Sequence, residues 1–216
     1  MRRSDGLWLL RGGALLCVGG MGLEAAALAA GRLADAGAAG LVSFGLAGGL
    51  DPSLSPGSIV LPRDIIGSDG ARFQANDAWR EAVSAAVAHA RPGAAGAVAA
   101  GTLLTSGVSI AAIADKAAAF RDTGAVAVDM ESAAVAQVAA TRGLPFIAAR
   151  VIVDTAADAL PPAVAAAGRA GRLSLMRLVL GLAAAPLDVV AVIGLARRYR
   201  AALRALECMA GAGLLV

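Results

Sequence analysis

Ala125-Val-Ala-Val-Asp129-Met130-Glu131-Ser132-Ala-Ala-Val-Ala-Gln-Val-Ala-Ala-Thr-Arg142-Gly143-Leu-Pro-Phe146-Ile-Ala-Ala-Arg150-Val-Ile-Val-Asp154 is the stretch whose reading decides the fold. It divides into a strand over Ala125–Met130, a helix over Ser132–Arg142 built from small residues and stopped by Gly143, and a buried strand over Phe146–Val153. Each strand runs into a carboxylate, Glu131 after the first and Asp154 after the second. Open α/β sheets bind their ligands beyond the carboxyl ends of their strands, so these two residues are the first candidates for chemistry. An acidic residue at a helix start is also an ordinary cap, and spacing alone does not separate the two roles for Glu131.

Working outward, the same alternation recurs. Leu7–Leu10 and Ala14–Val18 read as a hairpin joined by the Gly12-Gly13 pair, since Arg11 and the glycines cut the apolar run too short for an export signal. Gly19-Gly20-Met21-Gly22 leads into a helix over Glu24–Ala36. Strands follow at Leu41–Phe44 and Ser58–Leu61, separated by the turn-rich Ala47-Gly48-Gly49-Leu50-Asp51-Pro52. Helices are predicted at Ala78–Ala90 and Ile110–Thr123, and a further strand at Ala97–Leu104. After Pro161-Pro162 the chain turns helical, over 163–210. The expectation is one α/β domain over 1–216, with a twisted mixed central sheet, flanking helices and a helical C-terminal segment.

Composition narrows the function classes. With 216 residues, 58% hydrophobic and only 3% aromatic, the chain has a core of Ala, Val and Leu and few platforms for stacking bases. Its net charge of +3 comes from arginines without interleaved aromatics, which argues against nucleic-acid binding. Two cysteines and one histidine leave no Cys-based metal site and no metal is expected. His89 closes a helix as a cation should and carries no catalytic expectation. Asp115 and Lys116 read as a solvated helix surface. The segment Leu173–Ala196 contains Arg177, Pro186 and Asp188, which is too polar for a membrane span. The default is a cytoplasmic enzyme, with peripheral membrane contact left open by the high mean hydropathy of +0.73.

The Ala-Val-Asp-Met-Glu-Ser run, the later Arg-Val-Ile-Val-Asp-Thr-Ala, and the earlier segment from Ser43 to Pro62 closely resemble the purine nucleoside phosphorylase and methylthioadenosine/S-adenosylhomocysteine nucleosidase superfamily. Within it, the Asp129-Met130-Glu131-Ser132 block, Leu160-Pro161-Pro162 and the helical tail look most like the hopanoid-associated phosphorylases. The resemblance implies cleavage of a ribose C1′–N9 bond, with Glu131 accepting hydrogen bonds from ribose hydroxyls and Asp154 sharing a proton with purine N7. Met130, Ala47, Gly48, Ser106, Gly107 and Val108 are the substrate contacts it implies, and Gly20 lies in a loop that could offer backbone N–H groups to phosphate. It implies no cofactor beyond inorganic phosphate as a co-substrate, a purine nucleoside substrate that in the narrower match is lipid-linked, and a homo-oligomer. Asp129 is expected to make either a backbone contact or a contact that supports the site's residues from behind, and Arg150 a structural pairing. Relatives usually begin with a further strand that is not recognisable here, and Leu46 and Val153 replace polar residues of the pattern. Phosphorolysis and hydrolysis therefore both stay open, as do a methylthioadenosine/adenosylhomocysteine nucleosidase and a binding protein without turnover.

Overall fold

The computed structural model describes residues 6–10, 12–90, 98–160 and 188–211, the side chains of the last segment from Arg197 onward. The chain opens with the expected hairpin: β1 (Leu7–Leu9) and β2 (Leu15–Cys17) pair antiparallel with Leu7 opposite Cys17 and form a small sheet of their own. α1 (Leu23–Asp35) follows, then β3 (Leu41–Gly49), β4 (Ile59–Val60), β5 (Asp64–Ile66), β6 (Arg72–Gln74) and α2 (Asp77–Ala90). The second half runs β7 (Val98–Ala99), β8 (Thr102–Thr105), α3 (Ile113–Thr123), β9 (Ala125–Asp129), α4 (Ser132–Arg142), β10 (Phe146–Asp154) and α5 (Asp188–Gly211). β3 to β10 form one eight-stranded mixed sheet in the order β6-β5-β8-β9-β3-β10-β4-β7. The result is a single α/β domain with flanking helices, as the sequence led us to expect.

β10 shows why the sheet holds. Nearly every residue of this strand is buried, and side chains alternate between faces. Phe146, Ala148 and Ile152 join the apolar cluster that includes Ala26 and Ala30 of α1 and Ala133, Ala136 and Ala139 of α4. Ile147, Ala149 and Val151 join the opposite cluster, which includes Val83 and Val87 of α2 and Ala202, Ala205 and Met209 of α5. Both layers therefore depend on one strand whose pattern is a continuous hydrophobic run, as a central strand covered on both faces requires. Each fully buried Ile or Val contributes roughly 1.5–3 kcal/mol relative to exposure.

Arg150 shares the α4-side face with Ala148 and Ile152, and it is 3% exposed. Its Nε donates to Asp129 Oδ2 at 2.8 Å, and its Nη2 donates to Ser43 Oγ at 2.7 Å and Ser132 Oγ at 3.1 Å. Asp129 accepts in addition from Thr105 Oγ1 at 2.7 Å and from the Ser132 backbone N–H at 3.0 Å. Thr105 Oγ1 in turn accepts from the Ala133 N–H at 3.0 Å. One buried ion pair thus joins β3, β8, β9, β10 and the start of α4. Arg150 has the structural pairing expected of it, and Asp129 has the backbone contact.

Several boundaries differ from expectation. β3 runs on to Gly49, through residues that looked like a turn, because Gly48 and Gly49 still pair with β9 while the strand follows β10 on its other side. The single strand expected over Ala97–Leu104 is two short strands, β7 and β8, on different neighbours. β5 and β6 were not anticipated. The Pro161-Pro162 break and the segment Leu173–Ala196, up to residue 187, lie outside the described residues, as does the helical tail over the same range; α5 is its described part. Among the described residues, no helix is long and apolar enough to cross a membrane.

Replacing Arg150 with Met removes the cation but leaves Asp129 buried. We expect a loss of about 3–5 kcal/mol in unfolding free energy by urea titration; a midpoint close to wild type would show that the pair is not what joins these strands.

Candidate active site

Glu131, separated from the end of β9 by Met130, is the N-cap of α4, with φ −134°. Its carboxylate does not cap its own helix. Instead Oε1 accepts from the Gly22 N–H at 3.0 Å and Oε2 from the Met130 N–H at 3.3 Å, with Arg150 Nη2 3.8 Å from Oε2. Gly22, at φ +96°, is itself the N-cap of α1, and this left-handed conformation is one that only glycine adopts cheaply. Glu131 therefore holds the loop between β2 and α1 against the end of the central sheet.

Asp154 is the last residue of β10 and 4% exposed. β10 shifts register between Ile152 and Asp154, which brings Asp154 opposite Gly48 of β3. A Cβ at position 48 would come within 3.3 Å of Asp154 Oδ2 and 3.4 Å of Val128 Cγ1, so glycine there leaves the carboxylate its room. Burial pushes the Asp154 carboxyl above the usual aspartate range, and the nearby Lys116 ammonium only partly offsets this.

Lys116 corrects the sequence reading. It was expected on a solvated helix surface, yet it has no exposed surface at all. Its ammonium donates to Asp154 Oδ2, to the Thr155 carbonyl at 2.7 Å and to the Asp158 carbonyl at 2.9 Å, so all three N–H groups are taken. The signal was present at helical spacing: Ala119 and Phe120, three and four residues on, face an apolar cluster with Leu50 and Val128. Asp158 was also missed. Its carboxylate accepts from the Thr155 N–H at 2.9 Å and Thr155 Oγ1 at 2.8 Å, and it pairs with Arg198 of α5. Burial alone would raise the Asp158 carboxyl; these hydrogen bonds and the Arg198 charge hold it below the usual range instead.

Glu131 and Asp154 open onto the same trough, a concavity of about 1360 Å³. Met130, Ala47, Gly48, Gly20 and Val108 line it as well. Ser106 and Gly107 are not among its lining residues. The Ser106 hydroxyl is turned onto its own loop, donating to the Val108 carbonyl at 2.7 Å and accepting from the Val108 N–H at 3.2 Å. His89 sits exposed in the last turn of α2. Among the described residues, no group of three or more His, Cys, Asp or Glu side chains could hold a metal ion.

The sequence profile of the phosphorylase superfamily matches residues 8–179. The chain belongs to this superfamily. Solved structures agree with the membership. A 5′-methylthioadenosine/S-adenosylhomocysteine nucleosidase from Neisseria meningitidis, in complex with methylthio-immucillin-A, superposes with TM-score 0.61 and 27% identity, over 66% of this chain and 68% of the other. The Colwellia psychrerythraea nucleosidase, in complex with adenine, gives TM-score 0.58 and 26% identity over 78% and 76%. A mutant of the Helicobacter pylori nucleosidase with 5′-methylthioadenosine in its active site gives TM-score 0.64 over 91% and 79%, at 15% identity. No curated protein sequence matches the chain. As a superfamily member with these neighbours, the chain is an enzyme of N-ribosyl bonds, a nucleoside phosphorylase or nucleosidase.

The two shifted carboxyls act on stability with opposite sign. Asp154 binds its proton more tightly folded than unfolded, so its contribution declines as pH rises from the ordinary aspartate range to its raised value. Asp158 contributes stability that is present above the ordinary range and lost as pH falls through its lowered value. Asp158→Asn should therefore be less stable than wild type at neutral pH, and the gap in urea midpoint should close as pH falls below about 4; a gap independent of pH would count against the charge of Asp158 as its source.

Proposed function

We propose that this protein cleaves the N-glycosidic bond of an adenine nucleoside, with Glu131 on the ribose and Asp154 on the base. The observation that carries the reading is the opening of both carboxyls onto one trough, Asp154 with its proton affinity raised by burial. As the C1′–N9 bond breaks, its electron pair leaves with the purine and positive charge develops on the sugar. Glu131 accepts hydrogen bonds from the ribose hydroxyls, and these strengthen as that charge grows. Asp154 passes a proton to purine N7, a task suited to a carboxyl that stays protonated above the usual range. Water or inorganic phosphate then completes the sugar at C1′, and Gly20 lies in the glycine loop that would offer N–H groups to a phosphate.

For the 5′ substituent, the finer reading is a large apolar group, as in adenosylhopane and hence hopanoid biosynthesis. Support comes from the sequence resemblance and from the lining of the trough beyond the two carboxyls, where Leu15, Leu16, Leu33, Phe44 and Trp79 contribute apolar surface. The neighbours co-crystallised with methylthioadenosine or its analogue favour a small 5′-thio substituent as the second reading. A homo-oligomer in the cytoplasm, making peripheral contact with a membrane to reach a lipid-linked substrate, completes the first reading.

The test is adenine release from adenosylhopane and from methylthioadenosine, each with and without phosphate. Asp154→Asn and Glu131→Gln should each lower kcat/KM by at least about 100-fold while remaining folded by circular dichroism. Phosphate-dependent release from the lipid substrate alone would fix the phosphorylase reading. Release from neither by folded wild type would leave a nucleoside-binding protein without turnover.

A further inference from the structure

We propose that Lys116 is a positioning residue for Asp154: it occupies Oδ2 of the carboxyl and leaves Oδ1, which has no other hydrogen-bond partner among the described residues, to meet the leaving base. The inference rests on the reading of Asp154 as the proton donor. Its basis is the donor arithmetic of the ammonium. Lys116 Nζ has only hydrogens to offer, so an Oδ2 held by it can only accept. A neutral Asp154 must then carry its proton on Oδ1. Lys116 thus decides which oxygen of a symmetric group bears the transferable hydrogen, a choice an unrestrained carboxyl would make at random.

The clamp is built to survive the proton transfer. Two of the three Lys116 hydrogen bonds go to the main-chain carbonyls of Thr155 and Asp158, so Nζ stays in place whether Asp154 is charged or neutral. The charged groups facing Asp154 are Lys116 from α3, Asp158 from the turn after β10 and Arg198 from α5. Of these, Lys116 is the one in direct contact. Its charge opposes the effect of burial and so keeps the carboxyl able to release its proton as well as to hold it.

The experiment compares pH profiles of adenine release from methylthioadenosine or adenosylhopane, whichever is turned over, in wild type, Asp154→Asn and Lys116→Met. Where wild type binds without turnover, the pH dependence of adenine binding by calorimetry reports the same carboxyl. Loss of the Lys116 charge should move the alkaline limb, where protonated Asp154 is lost, upward by at least about one pH unit. With the proton no longer confined to Oδ1, kcat should fall by about 10-fold or more with little change in KM. Lys116→Gln keeps N–H donors without the charge; it should show the same upward shift and serves where Lys116→Met folds poorly. A limb that stays in place in both variants would overturn the proposal and reduce Lys116 to a fold-stabilising role. If Asp154→Asn itself leaves release and its pH profile unchanged, the proton-donor reading fails and this inference fails with it. If Asp154→Asn abolishes release while the lysine variants leave the limb unmoved, only the inference fails.

Discussion

Everything at the working end of this sheet hangs on the buried pair of Arg150 and Asp129. An ion pair in a protein interior is tolerated only when the remaining donors and acceptors are also met, and here Ser43, Thr105 and Ser132 supply hydroxyls from β3, β8 and the start of α4. The pair links β9 to β10 across the intervening β3 and so ties together the two strands that lead to the carboxylates. Glu131 comes two residues after Asp129, and Asp154 four residues after Arg150. The same pair borders the trough onto which both carboxylates open, with Arg150 Nη2 3.8 Å from Glu131 Oε2.

Small residues make that arrangement compact. A core rich in Ala and Gly lets α1 and α4 approach each other and the sheet closely, and the absence of a side chain at position 48 lets Asp154 sit against β3. The trough is lined mainly by aliphatic groups, many of them from β3 and α1. Charge is concentrated where the trough meets the strand ends. Apolar surface and paired charges are thus segregated along one concavity.

Much of this was written locally in the sequence. The Gly12-Gly13 pair announced the hairpin, and Gly143 after a run of small residues announced the end of α4. The carboxylates Glu131 and Asp154 stood at strand ends that periodicity located to within a residue. Other features depend on partners far along the chain. β5 and β6 are three residues each, too short to display a period of two. The extension of β3 through Ala47-Gly48-Gly49 is dictated by its neighbours, against the turn preference of its glycines. Lys116 is the instructive case. A lysine on a helix is a surface residue unless something inside needs its charge, and that something, Asp154, lies 38 residues away. Nothing in the sequence around Lys116 names that partner, although the spacing to Ala119 and Phe120 showed which way it faced.

The bond between Arg198 and Asp158 carries a consequence for how the molecule comes into being. α5 packs on β10 through Ala202, Ala205 and Met209, and Arg198 from the same helix holds the turn whose carbonyls bind Lys116. A chain growing from its N-terminus has made all eight strands of the main sheet and both candidate carboxylates before Arg198 is synthesised. On the ribosome, the nascent protein can acquire its fold in outline while the turn beside Asp154 still lacks its outer tether. That tether arrives only with α5.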